Sequence, residues 1–125
     1  MITVAPIGDR EEIRSFFYKA GVAPGDNAGC VCAKSSGEVL GFCLYDLTDK
    51  GITVLYIEPK DDLPLADGIL RSALHVAASR SAMDARYEGD ENGELFVKLG
   101  FVLDKSTKRL DIDKLFRGCG CKADD

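Results

Sequence analysis

No stretch of this 125-residue chain approaches the roughly 18 consecutive apolar residues that a membrane-spanning helix requires, which argues against a helical membrane protein. No block of basic residues appears either. With 16 Lys+Arg against 21 Asp+Glu the formal charge is −5, a balance that favours solubility and argues against a nucleic-acid partner. The opening residues, MITVAPIGDREE, lack the basic n-region and long apolar run of a secretory signal. The cytoplasm is therefore the expected compartment. There the five cysteines are expected as reduced thiols rather than as a disulfide framework. Tryptophan is absent, histidine occurs once, and no segment repeats another. What remains is ordinary for a globular domain: 46% hydrophobic and 30% charged residues, enough chain for one core. The expected layout is one domain over residues 1–117 and a polar, cysteine-containing tail over 118–125.

Periodicity places the elements. Ile2 to Ile7 alternates as a strand. Asp9 caps a helix whose Ile13, Phe16 and Phe17 share a face and which Gly21 stops. After the turn VAPGDNAG, Ala28–Lys34 and Glu38–Leu47 form an antiparallel hairpin about Ser35-Ser36-Gly37. Ile52 to Ile57 is a continuous apolar strand, which predicts cover on both faces of the sheet. Pro59 ends it. Pro64 suits the first helical position, and Asp67 suits the first turn, complementing the helix dipole. That helix is expected to reach about Ala82, with Leu65, Ile69, Ala73 and Val76/Ala77 on one side and Arg71, His75 and Ser79 on another. DARYEG reads as a short strand, ENGELFVKLG as a helix closed by Gly100, and FVLDK with KRLDI as a final hairpin. The strand-helix-strand unit 52–88 is expected to be parallel, with any ligand where its strand ends part.

Two local motifs in this order resemble the GNAT superfamily of N-acetyltransferases. One is YIEPKDDLPLADGILRSAL, placed as the family places its fourth strand, pyrophosphate loop and third helix. The other is LFVKLGF, Leu95 to Phe101, similar to the family's lYeklGF. By motif the resemblance spans Glu38 to Phe101, and by element order the whole chain. It implies an α/β fold: a GNAT-like mixed, largely antiparallel sheet of six to seven strands with helices on both faces. It also implies acetyl-CoA as cofactor, with the pantetheine on the backbone of Leu55, Tyr56 and Ile57. The pyrophosphate would lie over Leu65, Ala66, Asp67 and Gly68. In the family a deprotonated amine attacks the thioester, and a tyrosine often protonates the thiolate.

Several positions depart from the family pattern. Asp62 falls where the loop R/Q-x-x-G-x-G/A has Arg or Gln. Leu63, Leu65 and Asp67 fall where glycines let the backbone approach oxygen closely. Gly68 comes one position late, and Phe96, which has no proton to donate, stands at the usual tyrosine. A carboxylate about 4 Å from a phosphate charge costs about 1 kcal/mol in water and about 4 at an effective dielectric near 20. A helix N-terminus returns only about 0.3–1 kcal/mol. Weak or absent acetyl-CoA binding is the expectation.

If the fold holds, Glu58 at the end of the fourth strand and Tyr87 and Glu88 at the end of the fifth flank the cleft. Glu58 or Glu88 is then the candidate base and Tyr87 the candidate acid. His75 reads as a surface or structural residue. Cys30-Val-Cys32 and Cys119-Gly-Cys121 are numerically enough for four thiolate ligands. Residues two apart on a strand, however, stand about 6.5 Å apart, too far for zinc without a bend, so no metal site is assigned. Lys122 in the tail is placed to lower a thiol pKa. Three readings of function follow: an acyl-CoA-dependent N-acetyltransferase-like protein acting on a small amine, a GNAT-fold binding or regulatory module without the usual CoA site, and a metal- or redox-responsive protein using the two C-x-C pairs. Free strand edges leave room for a homodimer.

Overall fold

The computed structural model describes residues 1–116. In chain order these form β1 (Thr3–Pro6), α1 (Arg10–Ala20), β2 (Ala28–Ser35), β3 (Glu38–Leu47), β4 (Gly51–Glu58), α2 (Leu63–Ala78), β5 (Asp84–Tyr87), α3 (Asp90–Leu99), β6 (Val102–Asp104) and β7 (Arg109–Leu110). One sheet takes all seven strands in the order β1-β2-β3-β4-β5-β7-β6. The β4–β5 pair is parallel and every other pair is antiparallel. The tail with Cys119 and Cys121 lies outside the described residues.

Alternation along β2 and β3 sorts the core into two layers. Cys30, Cys32, Phe42 and Leu44 face Phe16 and Phe17 of α1. Val31, Ala33, Cys43 and Tyr45 face the other way, into a larger cluster with Ile69, Leu70, Ala73 and Leu74 of α2 and Leu95 and Phe96 of α3. The sheet therefore carries helices on both faces. Local signals set the helix ends. Asp9 accepts the Glu11 N–H at 3.0 Å, and Gly21, at φ 72°, closes α1 in the left-handed conformation.

The second helix differs from expectation at both ends. It stops at Ala78 rather than near Ala82. Ser81 takes the left-handed conformation (φ 60°), so its N–H reaches Ala78 O while the Ala82 N–H returns to Ala77 O. That is a Schellman closure built on serine instead of glycine, with buried Ala82 as its apolar contact. At the start, Leu63 is the first helical residue, so Asp67 sits beyond the first turn and pairs with Arg71 at 2.8 Å. The carboxylate that meets the helix dipole is that of Asp62.

Strand β4 is irregular at its centre. Leu44 pairs with Tyr56 but Tyr45 with Val54, so Leu55 has no partner on β3. This bulge puts Leu55 and Tyr56 together on the α1 side, while Val54 and Ile57 both enter the α2 layer. Gly41 on β3 makes room for the strand's exit, since a Cβ there would lie 2.5 Å from Glu58 O and 2.7 Å from Pro59 Cδ.

Candidate functional site

The two parallel strands stay paired from Gly51/Asp84 to Val54/Tyr87, and their last bond runs from the Glu88 N–H to Val54 O at 3.0 Å. Past this point β4 runs on through Leu55–Glu58 paired only with β3 on its other side, while the chain after β5 turns at Gly89 into α3. The strand ends thus part where the sequence places a ligand.

Side chains occupy this fork. Asn92, in the first turn of α3, is 5% exposed and is the one buried amide or charged side chain among the described residues. Its amide nitrogen donates to Leu55 O at 3.0 Å and to Glu88 O at 2.7 Å, bridging the parted strands. The two carbonyls fix its orientation, because a flipped amide would set oxygen against oxygen. Lys60 Nζ donates to Ile57 O at 2.7 Å and lies 4.4 Å from the centre of the Tyr56 ring. Two carbonyls of the strand on which pantetheine would pair are therefore already taken.

The start of α2 is filled in the same manner. Asp62 Oδ1 accepts the Leu65 N–H at 3.2 Å, and Asp62 O accepts the Ala66 N–H at 2.9 Å. Pro64 has no N–H to offer. Of the first four residues of the helix, only Leu63 has an N–H without such a partner. Gly68 faces open space, and with Asp61 and Asp62 it borders a cavity of about 660 Å³ against Ile2, Val4, Leu40 and Leu65. Two carboxylates and satisfied backbone donors do not fit a pyrophosphate at this helix end.

The candidate acid–base residues separate. Glu58 lies on the α1 side, where its Oε1 accepts the Tyr56 hydroxyl at 2.8 Å. Burial, with the hydrogen bond to Glu58 and the negative charges of Glu58 and Glu91, pushes the Tyr56 phenol up to about 12. Tyr87 is 5% exposed and turns into the opposite layer, edge-on to Phe96 with ring centres 5.7 Å apart. Glu88 contributes its backbone to the fork, and His75 is exposed. Asn92, Lys60 and the Tyr56 hydroxyl went unnoticed in the sequence. Asn92 sits in the acidic run DENGE with nothing to distinguish it from a surface residue.

The three described thiols are buried. Burial, with the charge of Cys32, raises the Cys30 thiol to about 12, and burial raises Cys32 and Cys43 as well. Among the described residues no group of three or more His, Cys, Asp or Glu is placed to hold a metal ion. No described helix is long and apolar enough to cross a membrane.

No family model matches the chain, and no curated protein matches it. Solved structures do. A mutant of the AtaT toxin bound to the C-terminus of the antitoxin AtaR aligns over 100% of this chain and 99% of its own, with a TM-score of 0.60 and 15% identity. The same mutant with AtaR and acetyl-CoA aligns over 92% and 98%, with a TM-score of 0.53 and 14% identity. A ribosomal-protein-alanine N-acetyltransferase from Brucella melitensis biovar Abortus 2308 aligns over 75% and 87%, at 0.54 and 12%. The fold is that of the GNAT acetyltransferases. At these identities the likeness is one of fold alone.

Proposed function

We propose that the chain is a GNAT-fold binding or regulatory module that does not seat acyl-CoA through its phosphates. The observation that carries this reading is the Asp62 carboxylate on the Leu65 N–H, an anion of the chain's own where a phosphate would be received. Asn92 and Lys60, bonded to the carbonyls of β4, support it from the side of the pantetheine. The test is a melting curve of the reduced, metal-free protein with and without acetyl-CoA. Ligand at about 100 times its dissociation constant would add about 2.7 kcal/mol and move the midpoint by several degrees. An unmoved midpoint at millimolar ligand is expected. A clear upward shift overturns the reading.

One observation favours a second reading, an acyl-CoA-dependent N-acetyltransferase acting on a small amine. Glu58 is held by the Tyr56 hydroxyl at the strand end. In that reading Glu58 takes the proton of the amine and Tyr56 positions it, while Glu88 is the alternative base. Tyr87, in the opposite layer, is poorly placed as the acid. Should acetyl-CoA bind, Glu58→Gln is expected to lower kcat by about 100-fold or more. The same variant leaving kcat unchanged would eliminate Glu58. Among the described residues the outer edges of β1 and β6 are unpaired, which makes self-association part of either reading, and sedimentation measures it.

A further inference from the structure

A second cavity, of about 520 Å³, opens away from the fork, between the outer side of α3 and the β6–β7 turn. The Tyr87 phenol lines it. Tyr87 is 5% exposed, and its hydroxyl has no hydrogen-bond partner among the described residues. A hydroxyl with no protein partner that borders a cavity is free to donate to a group entering it. Gly93 leaves the space beside it: a Cβ there would lie 2.8 Å from the Tyr87 ring and 3.1 Å from its oxygen.

Charge converges on the same cavity. Lys98 closes α3, while Lys105 and Lys108 bracket the turn opposite, and Lys108 holds a left-handed φ of 57°. None of the three makes an ion pair among the described residues. Asp90 and Glu94 share the lining. The local count is thus three cations against two anions, in a chain that overall has 16 against 21. The balance of charge is reversed here, above a phenol with a proton to donate.

We propose that this cavity binds a small anion, a carboxylate or phosphate group, with the Tyr87 hydroxyl donating from the floor and Lys98, Lys105 and Lys108 at the mouth. The site does not depend on how the fork is read.

The test is an amide NMR titration of the reduced full chain with inorganic phosphate and, separately, with acetate, the ionic strength being held constant with chloride. Saturable shifts at Tyr87, Gly93, Lys105 and Lys108 are expected with at least one of them. Phosphate alone acting indicates a phosphorylated ligand, and acetate acting indicates a carboxylate. Tyr87→Phe keeps the ring and is expected to fold, and it should weaken binding about tenfold, the worth of a hydrogen bond to a charged group. Lys105→Ala with Lys108→Ala, both in an exposed turn, should weaken it as well. The proposal is overturned if neither anion moves these amides at tens of millimolar. It is equally overturned if both variants bind as tightly as the parent.

Discussion

The side-chain amide of Asn92 donates to the carbonyl of Leu55 at 3.0 Å, fastening the first turn of α3 to the bulge in β4. A second donation to Glu88 O makes the same group the clasp of the fork. Asn92→Ala would remove the donor from two part-buried carbonyls, at about 1–2 kcal/mol each. A loss of about 2–4 kcal/mol is expected by urea denaturation. Asn92→Asp sharpens the test. An ionised carboxylate faces the carbonyls with no proton to give, so its folded pKa is raised above the ordinary value near 4. That variant should be closest to the parent below this value and lose stability as pH rises. A flat profile would mean that the amide nitrogen is not what the carbonyls require.

Asp62 and Asp61 are neighbours in sequence and unequal in role. Asp62→Ala removes the cap of α2 and should cost about 1 kcal/mol, whereas Asp62→Asn, an equally good cap, should cost little. Asp61→Ala should change the urea midpoint hardly at all. Equal losses at the two positions would remove the reason for assigning the helix end to Asp62.

Two phenols are held protonated. Burial raises Tyr45 to about 12, and Tyr56 is raised to about 12 as described. Both folded values exceed the ordinary value of about 10. Their contribution to stability is therefore complete below pH ~10 and is lost as pH rises toward 12. In a phenolate titration at 295 nm, Tyr56→Phe should delete a late-ionising component and flatten the alkaline fall in stability. Deletion of an early component instead would contradict the hydrogen bond to Glu58.

The thiols of Cys30, Cys32 and Cys43 should resist a thiol reagent at pH 8 until the chain opens. In a Cys119→Ser, Cys121→Ser background the labelling rate should follow urea-induced opening. Fast labelling without denaturant would show that the layers on the two faces of the sheet are looser than their packing.

Much of this was readable in advance because it rests on local chemistry. The cap at Asp9, the stops at Gly21 and Gly100, and the hairpin about Ser36 and Gly37 each depend on a residue type whose backbone preference speaks for itself. The end of α2 did not, because a serine there does what glycine usually does. Nor did the pairing of the last two strands: their hairpin was visible, but nothing in it tells which strand lies against β5. In the site, the wrong chemistry of the loop was plain from two adjacent aspartates. Its structural meaning, a carboxylate folded onto its own helix, required the distance to Leu65. Tyr56 and Tyr87 look alike in sequence, two aromatics near strand ends. A single unpaired residue in β4 sends the first toward α1, and ordinary alternation sends the second beneath α3.

That unpaired residue also gives β4 a phase. Because Leu55 is surplus to the ladder, Val54 and Ile57 share a face at a spacing of three where an unbroken strand allows only even spacings. Substitutions at 55 would leave this count alone, and a substitution scan would report an unremarkable apolar position. Deleting Leu55 would close the ladder into a regular one and turn nothing over: Val54 and Ile57 would still face α2, and Tyr56 and Glu58 α1, now by plain alternation. What would go is the local bend and added twist that the extra residue gives β4 as it enters the fork. A deletion at a paired neighbour such as Thr53 could restore alternation only by leaving Leu55 to fill the gap in the ladder.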